Sequence, residues 1–141
     1  MKLFVKKLYP DAKVPQFALA HDAGLDLCVK EPIVLAPGER KGIPTGIALA
    51  IPEGYVGLIW DKSGVALKRG LKTMGGVIDA GYRGEIIVIA KNLSEEPLSF
   101  SVGEKVAQLL IQKVEHPFIE EVVVLPESER GEQAFGSTGT H

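Results

Sequence analysis

Short apolar runs separated by turn-forming residues make up most of the chain. Segments 45–51, 55–60, 85–90, 106–111 and 121–125 are rich in β-branched residues and end in turn chemistry. Their length is that of strands, and their near-continuous apolarity predicts strands covered on both faces. Pro37-Gly38-Glu39, Pro52-Glu53-Gly54, residues 92–97 and Ser101-Val102-Gly103-Glu104 read as the turns between them. The pattern is that of an all-β domain, a sandwich or barrel. One short helix is predicted over 63–69, with Ser63 as its N-cap, Lys68 and Arg69 in the last turn and Gly70 at the C-terminal cap. From Glu127 onward the chain is polar and Gly-rich, which predicts a single domain with its β core over 1–126 and a flexible arm over 127–141.

Composition narrows the class. With 141 residues, 45% hydrophobic and 24% charged, the chain suits one domain whose core needs no disulfide or metal. A single cysteine, Cys28, excludes an intramolecular disulfide and a thiolate zinc cluster, fits a cytoplasmic setting, and is expected as a small buried side chain. Every apolar run is interrupted well before about 18 residues, so neither a signal peptide nor a membrane span is predicted. Sixteen basic and eighteen acidic groups leave a net charge of -2, which argues against a broad grip on nucleic acid or lipid and implies that any bound anion is held locally. His21, His116 and His141 show no metal-ligand or triad spacing, and Ser63 lacks a nucleophile elbow.

Three of the five aspartates, Asp26, Asp61 and Asp79, lie near glycine or serine in turn-like places. Asp79 follows Val77-Ile78 and precedes Tyr82 by three residues, which predicts a carboxylate at a hairpin tip beside an aromatic ring. Such a carboxylate can orient and deprotonate a water, and the ring can wall a sugar or base. The structural alternative is an Asp that opens the turn and a Tyr that packs on the sheet. Phe135-Gly136-Ser137-Thr138-Gly139 offers open backbone N–H groups, two hydroxyls and an aromatic face, with Arg130 upstream as a bidentate phosphate donor. It is a candidate phosphate-and-base clamp, and otherwise an idle tail. It is not a Walker loop, since no Gly-Lys pair is followed by a helix.

Taken together, five segments resemble the homotrimeric dUTPases over about 23–139: 23–27 (around Asp26), 62–66 (Lys62, Ser63, Gly64), 76–86 (Gly76, Val77, Ile78, Asp79, Tyr82), 103–109 (Gln108) and 130–139 (Arg130, Phe135, Gly136, Ser137). The resemblance implies a jelly-roll β-barrel and hydrolysis of dUTP to dUMP and pyrophosphate by Mg2+-assisted attack of water on the α-phosphate. That activity keeps uracil out of DNA and supplies dUMP for dTMP synthesis. It implies that Asp79 positions the attacking water and that Asp26 places Mg2+ through coordinated water. Lys62, Ser63, Gly64 and Gln108 would hold the phosphate chain. Gly76, Val77 and Ile78 would read uracil through the backbone, Tyr82 would stack under deoxyribose, and Thr73 aligns with a uracil-contacting position. Arg130 and Ser137 would hold the γ-phosphate, with Phe135 over the uracil. The implied assembly is a homotrimer with shared active sites.

Some positions depart from the family pattern. Lys62 and Lys105 stand where arginine is usual, Gly81 replaces an acidic residue, and Gln133-Ala134 replaces glycines. A related alternative is the dCTP deaminases, which resemble this chain in the barrel and hairpin but carry a proton-moving glutamate where this chain has Ile89. The other is a trimeric barrel that binds nucleotide or a protein without turnover, against which Asp79 argues.

Overall fold

Among residues 1–136 and 139, which the computed structural model describes, ten strands and one helix form. They are β1 (Phe4–Lys7), β2 (Leu25–Cys28), β3 (Ile33–Leu35), β4 (Arg40–Ala50), β5 (Tyr55–Asp61), α1 (Ser63–Arg69), β6 (Leu71–Thr73), β7 (Val77–Ile78), β8 (Glu85–Asn92), β9 (Leu98–Phe100) and β10 (Lys105–Lys113). One four-stranded sheet runs β1-β4-β8-β6, a second runs β2-β10-β5-β7, and β3 pairs with β9 as a separate ribbon. The all-β jelly roll is as expected, although its walls are three separate ladders rather than one closed cylinder. No helix among the described residues is long and apolar enough to cross a membrane.

The sheets face each other across one core. Ile43, Ile47, Ile86 and Val88 from the first sheet meet Leu27, Val106 and Leu109 from the second and Leu35 and Phe100 from the ribbon, all but fully buried. Strand β8 alternates between buried and more accessible positions rather than being covered on both faces as its continuous apolarity predicts. Its outward Ile87 and Ile89 have another use, described below. The predicted turns form, with Glu39 N–H bonded to the Ala36 carbonyl, Tyr55 to Pro52 and Glu104 to Ser101.

Two further expectations about the fold fail. Residues 121–125 form no strand and pair with no ladder, and Val123 is 101% exposed. Cys28 is half-buried rather than buried, and burial pushes its thiol up from the ordinary value.

Asn92 closes the end of β8 as a buried polar hub. Its Nδ2 donates to the carbonyls of Leu35 (3.1 Å) and Glu96 (2.7 Å), and its Oδ1 accepts from the Ser94 N–H (2.9 Å) and hydroxyl (2.7 Å). Asn92→Ala should therefore lower the unfolding free energy by about 2–4 kcal/mol, since several buried groups lose partners together. Urea denaturation measures this, and an unchanged midpoint would remove Asn92 as a structural hub.

Candidate functional site

The site is built first by strand pairing. Strand β10 lies between β2 and β5, so Gln108 is directly opposite Asp26 on one side and Trp60 on the other. Gln108 packs so close to Gly24 that a Cβ there would lie 2.2 Å from its Oε1, so a side chain at position 24 would displace the Gln108 amide. The Gln108 amide Nε2 donates to the Asp61 carbonyl at 2.8 Å.

Asp26 is 6% exposed, yet both its oxygens are held. Lys62 donates to Oδ1, and Lys105 Nζ lies 2.6 Å from Oδ2. Lys105 and Gln108 are three residues apart, which in a regular strand points them to opposite faces. The register shift between Lys105 and Ala107 re-aims the strand so that Lys105 and Gln108 both reach the Asp26 region. Burial alone would raise the Asp26 carboxyl, but the bonds from Lys105 and Lys62 outweigh it and hold it below its ordinary 3.8. Two ammonium groups on one carboxylate leave a local positive balance, which suits an anion.

No group of three or more His, Cys, Asp or Glu among the described residues could hold a metal. Asp26 is a lone carboxylate whose oxygens already accept ammonium protons. That donor set rules out an all-protein cage but fits an ion that keeps its waters and takes its inner ligands from substrate phosphates.

The start of α1 differs in detail from expectation. Lys62, extended at φ -84 and ψ 124, is the N-cap and makes no side-chain cap bond, so Ser63 is the first helical residue. The Lys62 side chain is drawn to Asp26 instead, and the exposed Ser63 and Gly64 keep their polar groups free of capping. At the other end Gly70 takes the left-handed conformation as predicted. Arg69 stacks 4.0 Å over Phe100, pairs with Glu104 at 2.9 Å and bonds the Ser99 carbonyl, anchoring the helix to β9 and the turn before β10.

The expected hairpin around Asp79 is a crossing between sheets. β7 pairs with β5 in one sheet and β8 with β6 and β4 in the other, so the two flanks of Asp79 do not pair with each other. The splayed flanks leave a cavity of about 250 Å3 whose lining includes Asp79, Tyr82, Ile78, Ile87 and Ile89. Asp79 is exposed, and its carbonyl accepts the Tyr82 N–H at 3.0 Å. The Tyr82 hydroxyl donates to the Glu85 carbonyl at 3.0 Å, and its ring leaves no room for a Cβ on Gly84. Thr73 is buried, with both its N–H and hydroxyl on the Asp61 carboxylate. Ile89, 43% exposed, presents hydrocarbon to the cavity, so no proton can be moved from that position.

The structure thus gathers Asp26, Lys62 and Gln108 in one cluster and Gly76, Val77, Ile78, Asp79 and Tyr82 in another, with Asp61 bonded to Gln108 and to Thr73. Among the described residues of the arm, none is brought to either. Arg130 donates to the Gln133 carbonyl within its own turn, Phe135 is 106% exposed, and Gly136 is exposed. Ser137 lies outside the described residues. Sequence reading gave no role to Asp61, Gly24, Ile87 or the Lys105–Asp26 pair. Only Gly24, two residues before Asp26 in its motif, carried a local sign of close backbone approach.

Comparisons with known proteins agree. The family model described as dUTPase matches residues 10–139. The chain is 44% identical over 144 residues to the deoxyuridine 5'-triphosphate nucleotidohydrolase of Thermobifida fusca, covering 100% of this chain and 80% of that protein. It superposes on a Staphylococcus bacteriophage 80alpha dUTPase solved with dUpNHpp at TM-score 0.94 and 35% identity, over 99% of both chains. A dUTPase of phage phi11 of S. aureus, whose structure concerns coordination of a structural Mg(II) ion, gives TM-score 0.83 at 32% identity over 88% of this chain and 98% of that one.

Removing the Asp26 charge leaves Lys62 and Lys105 facing each other without a counter-ion. Asp26→Asn should cost about 1–3 kcal/mol at pH 7. A carboxyl with a depressed folded pKa adds stability above its unfolded value and loses it as pH falls through the folded value. The gap between wild type and Asp26→Asn should therefore persist down to about pH 4 and close only below 3.8. Denaturant titrations from pH 7 to pH 2.5 measure this, and a gap independent of pH would exclude the ion pairs as its cause.

Proposed function

The chain belongs to the dUTPase family and hydrolyses dUTP, and we propose that water attacks the α-phosphorus to give dUMP and pyrophosphate. The observation that most supports this reading is the Asp79 carboxylate beside Tyr82 at a small cavity backed by Ile87 and Ile89. Asp79 takes a proton from the water as its oxygen bonds to the α-phosphorus, the bond to the bridging oxygen breaks, and pyrophosphate leaves with the electron pair. The backbone of Gly76, Val77 and Ile78 reads the uracil edge, Thr73 supports that segment, and Tyr82 stacks against deoxyribose. Lys62, Ser63, Gly64 and Gln108 bind the phosphate chain. The arm supplies Arg130 and Ser137 to the γ-phosphate, with Phe135 and Gly136 over the base.

The donor set around Asp26 is consistent with Mg2+ carried by the nucleotide and held by Asp26 through water, where it would supply charge neutralisation on the phosphates. The phi11 relative's Mg(II) ion supports metal use in the family. Because Lys62 and Lys105 already balance the Asp26 charge, that carboxylate does not repel an incoming triphosphate.

We propose a homotrimer in which one subunit gives the base-reading segment, a second the phosphate-binding cluster and a third the arm. Two features support it: the described residues of the arm meet neither cluster of their own chain, and residues 118–125 leave Phe118, Ile119, Val123, Val124 and Leu125 highly exposed. Exposed apolar chain of this kind is what an oligomer covers. The enzyme is read as cytoplasmic, keeping uracil out of DNA and supplying dUMP for dTMP synthesis.

Product analysis with Mg2+ and each of dUTP, dCTP, dTTP and UTP tests the reaction. Release of dUMP and pyrophosphate from dUTP alone is expected, whereas dUTP or dUMP from dCTP would revive deamination. Asp79→Asn should retain nucleotide binding while kcat drops at least about a hundredfold, the loss expected of a general base. Unchanged turnover would remove Asp79 from the mechanism. Sedimentation should give three times the 15.1 kDa chain, and an active monomer would contradict shared sites.

A further inference from the structure

We infer that Asp61 is a positioning residue for pyrimidine discrimination, acting through Thr73 on the segment that crosses between the sheets. The inference rests on the reading of that segment as the one that meets the base. Asp61 ends β5, and its side chain is 21% exposed. One carboxylate oxygen accepts both the Thr73 N–H (2.6 Å) and hydroxyl (3.0 Å), and the other accepts Lys72 Nζ (2.5 Å). Its ionised form is favoured, because the bonds from Lys72 and Thr73 outweigh the burial that would raise its carboxyl.

Two residues earlier, β5 holds the far end of the same segment. The Ile59 N–H donates to the Gly76 carbonyl at 2.8 Å, and Gly76 lies so close to Ile59 that a Cβ would stand 2.8 Å from the Ile59 carbonyl oxygen. Between these anchors come Met74, Gly75 at φ 64 and Gly76 at φ 95. A double-glycine segment has little stiffness of its own, so its shape is set by how its ends are fixed. The Gly76 end is fixed by backbone pairing with β5, and the Thr73 end by pairing with β8, by the Met74 N–H on the Ile89 carbonyl at 2.8 Å, and by the Asp61 carboxylate, which adds a side-chain clamp to that backbone frame.

The base determines why this matters. Uracil presents carbonyl, N–H and carbonyl along its imide edge, and cytosine differs only in what the edge donates and accepts. A backbone that reads such an edge discriminates only if its own donors and acceptors cannot shift to suit the wrong base. Asp79 lies beyond β7, outside the anchored segment, so loosening the Thr73 end affects recognition more than the proton transfer. Asp61 also accepts the Gln108 amide through its main-chain carbonyl, a bond that side-chain substitution leaves in place.

The test is a double-mutant cycle on the full chain with Asp61→Ala, Thr73→Val and the pair. For Asp61→Ala, KM for dUTP should rise about tenfold with kcat within about threefold, and the ratio of kcat/KM for dUTP over dCTP should fall about tenfold. Thr73→Val should add little to Asp61→Ala, because both act on one contact. Asp61→Asn, which keeps an acceptor for the Thr73 N–H, should recover much of the ratio. A loss of kcat equal for all substrates, an unchanged ratio, or additive effects would overturn the inference and leave Asp61 a strand-end contact.

Calorimetric binding of dUMP and dCMP makes the result independent of turnover. If wild type prefers dUMP and Asp61→Ala loses that preference, the positioning role holds even where the proposed hydrolytic mechanism fails. A preference kept intact in Asp61→Ala overturns it.

Discussion

The placement of β10 between β2 and β5 is the constraint on which the rest depends. Antiparallel pairing fixes register to the residue, because a slip of one turns every side chain to the other face. With Leu109 and Ala107 committed to the core, Gln108 has only the opposite face, where Asp26 and Trp60 flank it. Three strands far apart in sequence thus deliver one cluster through core packing alone. The shift between Lys105 and Ala107 is the irregularity the cluster requires, since it turns Lys105 toward Asp26 without disturbing the buried residues that follow.

The electrostatics of that cluster explain how lysine serves at two positions where the family usually has arginine. An arginine presents a planar fork that can grip one carboxylate bidentately, whereas a lysine is a single compact charge. Here two lysines from different parts of the fold each take one Asp26 oxygen, so the carboxylate is satisfied from both sides by separate donors. The pair is partly open to solvent and the carboxylate is not. Phosphate oxygens can thus approach the cations without uncovering the acid.

Most elements of the fold were legible because they obey local rules. The helix over 63–69 announced itself by its basic last turn and Gly70, and the turns at Gly38, Gly54 and Gly103 by residues that tolerate positive φ. Where a rule had two outcomes, the chain misled. Serine suits an N-cap, but Lys62 occupies that place without a side-chain cap bond, its ammonium bonded to Asp26 instead. Residues 121–125 are as β-prone as any strand here, yet propensity makes a strand only where a partner pairs with it, and these residues join no ladder. Asp79 and Tyr82 were legible as a carboxylate and ring near a turn, but not the splitting of their flanks between two sheets, which opens the cavity to Ile87 and Ile89.

The sequence by itself determined the all-β class, the short helix, the family resemblance and the residue types available for chemistry, since each follows from periodicity, turn preference or motif order along the chain. Tertiary structure alone decided that Lys105 and Lys62 share Asp26, that the Gln108 amide packs against Gly24, and that Asp61 clamps Thr73. These are contacts across ladders and crossings. Their partners are set by strand register and by where the chain changes sheets, and register is fixed by the burial of the whole core rather than by any segment read alone.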